Sequence, residues 1–139
     1  MFITPEDYNV VIGPDALKVI SQASAENIEN AQCEAIEEIA SYLRPEYDTG
    51  AIFSAAGKER NRLIVMYTAD IAIYHLLSSL PGRPNYELRK ERYDRAIKWL
   101  EGVQSGKIVP DLPAMSDAGD AGAAFGTIYS SERKLRHNW

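Results

Sequence analysis

Residues 61–107 read NRLIVMYTADIAIYHLLSSLPGRPNYELRKERYDRAIKWLEGVQSGK: a long apolar run, a proline-glycine corner, and an amphipathic run closing at Gly106. The first run is apolar on nearly every side, the pattern of a helix in the middle of a bundle, and it predicts a helix over 58–80. Pro81, Gly82 and Pro84 force a reversal. Beyond them Tyr93, Ala96, Ile97, Leu100 and Val103 recur three or four apart and make one buried row. Glu91 and Asp94 each stand four residues before a base, Arg95 and Lys98, the order that supports an exposed helix face. Gly106 suits the end of that helix.

Working outward, Thr4-Pro5-Glu6-Asp7 is a helix start, with a capping hydroxyl, proline in the first turn and two acids at the positive end of the helix dipole. Gly13-Pro14 stops that helix, and Asp15 to Ile20 forms another turn or two with Leu17 and Ile20 inward. Ser24 caps a longer helix running to about Arg44, where Pro45 ends it. Ile28, Ala31, Ala35, Ile39 and Tyr42 make one apolar row, and Cys33, Ile36, Ala40 and Leu43 an adjacent one. Glu26, Glu29, Glu34, Glu37 and Glu38 fall mostly outside the stripe. Residues 45–57 read as a loop turning at Asp48-Thr49-Gly50, held down by Ile52 and Phe53.

The sum is an all-α domain, a bundle of about four helices with two long central ones and shorter N-terminal ones, over residues 1–107. Periodicity ends at Lys107. Residues 108–139 form an extended, largely irregular arm: a proline-flanked start, a stretch rich in Ala, Gly and Asp that cannot bury enough surface to offset its ordering entropy, and an aromatic, basic tip. A spacer ending in such a tip has the make-up of a docking segment. Phe125, Ile128, Tyr129, Arg133, Lys134 and Trp139 are the expected partner contacts.

The 139 residues suffice for one buried core. Hydrophobic residues at 45% and charged residues at 25% are ordinary globular values, and a formal net charge of -5 argues against a surface built mainly to neutralise phosphates. Cys33 is the only cysteine, which excludes an internal disulfide. MFITPEDYNV lacks a basic region followed by an apolar run, so no signal peptide is expected. Leu63 to Leu80 approaches the length of a bilayer span, but Asp70, His75, Ser78 and Ser79 interrupt it and a mid-span carboxylate is costly, so no membrane association is expected.

No constellation of reacting groups stands out. His75 has no His or Cys four residues away, as a helical zinc site would need, and is expected to be structural. Asp70 lies in an apolar run and needs a partner, for which the second long helix offers Arg92, Arg95 and the Tyr93 hydroxyl. A structural Asp70–Arg92 pair fixing the two helices is the expected outcome. Acting as a general base, Asp70 would have no nucleophile or second acid beside it. Carboxylates at helical spacing on the second helix read as a solvated face rather than a metal site. Glycine-rich phosphate loops, nucleophile elbows and CxxC pairs are missing from the sequence. The expectation is a protein that is not an enzyme, with no cofactor, metal or small-molecule substrate. Arg83, Arg89, Lys90, Arg92, Arg95 and Lys98 keep a helical DNA-binding or regulatory module open, although Glu87, Glu91 and Asp94 alternate with them.

Four segments together resemble a known family: Ile3-Thr4-Pro5-Glu6-Asp7; Ser41-Tyr42-Leu43-Arg44 with Tyr47-Asp48; Ala69-Asp70-Ile71-Ala72-Ile73-Tyr74; and Arg92-Tyr93 with Ala96-Ile97-Lys98-Trp99-Leu100, closed by Gly106-Lys107. Their order and spacing are similar to those of the head-tail connector (neck, or adaptor) proteins of tailed phages and prophages, in the Mu-like branch of small all-helical neck proteins. The resemblance implies a structural virion protein that forms a homo-oligomeric ring of about twelve subunits. It implies as partners the portal protein, the next neck or tail protein, and genomic DNA passing without sequence-specific binding. Its place would be the virion neck, reached from the host cytoplasm during assembly. The glutamates of the second helix are the expected lining of the DNA channel. A blander alternative is a helical interaction module that forms no ring.

Overall fold

The N-terminal tetrad folds as a reciprocal cap. In a computed structural model that describes residues 1–115, Thr4 Oγ1 accepts from the Asp7 amide at 3.3 Å, and the Asp7 carboxylate accepts from the Thr4 amide at 2.8 Å. This opens α1 (Pro5–Val11). The remaining helices are α2 (Pro14–Ile20), α3 (Ala25–Leu43), α4 (Thr49–Ser54), α5 (Arg62–Ser78) and α6 (Tyr86–Gln104), with a 3-10 turn at Gly57–Glu59. The described residues contain no strand, only an isolated antiparallel bridge between Tyr47 and Ala114. The chain is all-α.

Helix α5 is the hub, touching α1, α2, α3 and α6. Ile64, Ala69, Ile71, Ala72 and Ile73 on it are fully buried, which is why its sequence shows no polar face. Around it, α3 contributes Ala35, Ile39 and Leu43, and α6 contributes Ala96, Leu100 and Val103. Alanines among these buried positions let the backbones approach closely. Leu17 and Ile20 of α2 close the core from the N-terminal side.

Four boundaries and contacts differ from those the sequence pattern predicts. Residues 45–57 are not all loop: Asp48 accepts from the Ala51 amide at 3.1 Å and caps α4. Helix α5 starts at Arg62 rather than near Lys58, because Asn61 Oδ1 accepts from the amides of Leu63 and Ile64. On α3, Gln32 is buried and Cys33 is exposed, so the second apolar row begins one residue earlier than expected. The ion pair along α6 is Lys90–Asp94 at 2.9 Å, and Asp94 is thereby committed to the base four residues before it rather than to Lys98.

Gln32 is buried for a reason: its Oε1 accepts from the Ile3 amide at 2.9 Å, holding the N-terminal segment on α3. Its Nε2 and the Tyr8 hydroxyl are buried with no hydrogen-bond partner among the described residues. Burial, the largest influence, pushes the Tyr8 phenol up to about 12, with the neighbouring Gln32 side chain acting in the lowering direction. Tyr8→Phe should therefore be neutral or stabilising by up to about 1 kcal/mol in urea denaturation. A loss above that size would show that the hydroxyl is in fact bonded.

Residues 108–115 do not leave the body at once. The Ile108 amide donates to the Gly102 carbonyl at 3.0 Å, and Ile108 packs where a Cβ on Gly102 would stand, 2.5 Å from its Cδ1. Asn61 Nδ2 then donates to the Asp111 carbonyl, the Asp48 amide to the Pro113 carbonyl, and the Met115 amide to the Glu46 carbonyl. Phe125, Ile128, Tyr129, Arg133, Lys134 and Trp139 lie outside the described residues.

Candidate functional site

Asp70 and Arg92 come together where α5 crosses α6. Arg92 Nε donates to Asp70 Oδ1 at 2.7 Å, with the Asp70 side chain 3% and the Arg92 side chain 25% exposed. Burial, the largest influence, lifts the Asp70 carboxyl above its ordinary range, against the lowering effect of the Arg92 bond and of the charges of Arg92, Arg89 and Arg95. Arg89 itself donates to the Val11 carbonyl at 3.4 Å, tying α6 to the end of α1. At the far side of α1, Arg60 Nη1 donates to Asp7 Oδ2 at 2.6 Å and to the Phe2 carbonyl at 2.7 Å. Burial would raise the Asp7 carboxyl, but the bonds from Arg60 and Thr4 outweigh it and hold it below the usual range.

A second polar cluster is built on Glu38, which the sequence pattern assigns to the solvated face of α3. Tyr93 donates its hydroxyl to Glu38 Oε2 at 2.6 Å, and His75 Nε2 lies 3.0 Å from Oε1. The Tyr93 ring stacks on Tyr74 with centroids 4.2 Å apart, and the Tyr74 and Tyr86 hydroxyls are 3.4 Å apart. Burial and the neighbouring carboxylate raise the Tyr93 phenol, so it remains a donor at any physiological pH. Tyr93 is thus the partner of Glu38 and not of Asp70. A signal for this exists in the sequence: Glu38 stands three residues after Ala35, on the edge of the buried stripe.

These arrangements clip helices together. No group of three His, Cys, Asp or Glu among the described residues could hold a metal ion. Three of the six bases around α6 are turned to internal use: Arg89 on Val11, Arg92 on Asp70 and Lys90 on Asp94. Arg83 lies over the Tyr86 ring at 5.2 Å. That leaves a depleted basic face for a duplex. No helix among the described residues is long and apolar enough to cross a membrane.

The family model for bacteriophage Mu, Gp36, matches residues 2–127, which takes in the whole helical body and the first part of the segment beyond it. The chain belongs to the bacteriophage Mu Gp36 family. No curated protein and no solved structure matches it. For this Gp36-family chain the matched span runs twelve residues past Met115, so the Ala-, Gly- and Asp-rich stretch up to Thr127 belongs to the family pattern as the helices do. Residues 128–139, with five of the six expected docking side chains, lie beyond the matched span.

Proposed function

We propose that this Gp36-family protein is a head-tail connector subunit, a structural virion protein that forms a ring of about twelve copies between the portal and the tail. Membership of a phage Mu family across residues 2–127 carries the reading. The fold supports it: the polar groups are used to lock helices together, and residues 108–115 are hydrogen-bonded back onto the helical body. Its work is geometric, without chemistry or cofactor. Its partners are copies of itself, the portal, the next neck or tail protein, and DNA that passes without being read. It acts in the virion neck and is made in the host cytoplasm.

The test is to mix the full chain with purified portal assemblies and image the product. A ring stacked on the tail-facing end of the portal is the expected result; portals that remain bare at high chain concentration would refute the reading. A retardation assay with duplex DNA separates the alternative of a DNA-binding module, which predicts binding that falls steeply with salt.

A further inference from the structure

Helix α2, the second half of α5 and the start of α6 enclose a pocket of about 220 Å³. Ile12, Ile20, Ile73 and Leu77 form its buried apolar floor. An apolar cavity of about 150 Å³ already takes a benzene ring, so this one has room for a large apolar side chain.

Arg89 is the only charged residue that lines the pocket. Its one hydrogen bond among the described residues is the long one to the Val11 carbonyl, at 3.4 Å, and it joins no ion pair there. A guanidinium carries five donors, so most of its capacity is unspent. Burial and the neighbouring Arg92 charge disfavour the Arg89 cation, and Asp70, which is bonded to Arg92, offsets this only in part. The Asn85 side chain also lines the pocket and makes no capping bond to α6. A half-buried cation above an apolar floor calls for an occupant that is apolar and carries a carboxylate.

The rim tells a polypeptide from a free acid. Val19 lines the pocket and is 64% exposed, so the apolar surface continues outward past the mouth. A small acid would fill the pocket and leave Val19 in water, whereas a peptide segment covers both.

We infer that this pocket is a docking site for a segment of a partner protein in which a large apolar side chain stands next to an acidic one. The apolar side chain enters against Ile20, Ile73 and Leu77, and the carboxylate accepts from Arg89. The assignment goes beyond the connector reading and does not require the ring.

Methyl NMR on the full chain tests it, with the peptide acetyl-Ser-Phe-Asp-Ser-amide as the probe. Saturable shifts at the methyls of Ile12, Ile20, Ile73 and Leu77 are expected with a Kd of about 1 mM, a fair value for one buried ring and one charged bond. The counterpart with Asn in place of Asp should bind about tenfold more weakly, the worth of a hydrogen bond between charged groups. Arg89→Met should remove that preference while leaving the Asn peptide bound. Since Arg89 also holds Val11, a second variant is needed that spares this bond. Val19→Glu on the exposed rim should weaken the Asp peptide about tenfold by like-charge repulsion, with helical content unchanged. No shift at these methyls overturns the proposal, as does equal binding of the Asp and Asn peptides. Tighter binding of 3-phenylpropanoate than of the peptide would give the pocket to a free acid and overturn it too. None of these outcomes bears on whether portals acquire a ring, so the two readings fail separately.

Discussion

Asp70→Ala is expected to lower the unfolding free energy by about 3 kcal/mol, because breaking a buried ion pair strands the remaining charge. For a domain of this size that is a fall in Tm of about 10 °C. Arg92 keeps some access to water, which holds the cost near the low end. Arg92→Met should be the harsher half at neutral pH, since the Asp70 side chain is 3% exposed and has no solvent to turn to. The double variant Asp70→Leu/Arg92→Met should recover most of the loss, as well-packed apolar replacements of buried pairs do. The pH dependence has a definite sign. With its carboxyl raised by burial, the folded chain holds the Asp70 proton more tightly than the unfolded chain. That contribution is complete below the ordinary carboxylate value and is lost as pH rises through the folded value. Asp70→Asn should remove this decline. Asp7 acts in the opposite sense: its lowered carboxyl contributes stability above the ordinary value that disappears on acidification. An unchanged Tm for Asp70→Ala would dismiss the pair as a structural element.

Glu38→Ala should cost about 2 kcal/mol, the loss of a charge-assisted bond from Tyr93 together with the contact to His75. Tyr93→Phe should cost about half as much, because Glu38 keeps His75 and the Tyr74 stack survives. The measurement is the urea midpoint at constant m-value, which separates a change in stability from a change in the compactness of either state. A shift worth less than about 0.5 kcal/mol for Glu38→Ala would mean that the cluster is no more than a surface pair.

The large elements were legible because their signals are local and redundant. Thr4, Ser24 and Gly106 mark helix ends by side-chain or backbone chemistry that operates within one turn, and the structure places ends at each of them. Ile64 to Leu77 shows no polar face because α5 packs against α1, α2, α3 and α6 and most of its residues are buried. Asp70 and Arg92 could be paired from the sequence because a lone carboxylate in an apolar run needs a cation. Other features depend on partners far away in the chain. Gln32 looks like a surface residue until the Ile3 amide, 29 positions off, occupies its oxygen. Glu38 looks like one more solvated acid until Tyr93, 55 positions on, points at it. Short α4 fits within one turn signal, and Asp48-Thr49-Gly50 reads equally as a turn or as a cap.

The ring itself is most directly tested by mass in solution. Light scattering over a wide concentration range should be run on the full chain and on a chain ending at Met115, with helical content checked in both. A large closed oligomer for the full chain, reduced to small species by the truncation while its helices remain, is the predicted result. Monomers for both chains at every concentration, still monomeric when portal assemblies are added, would contradict the ring.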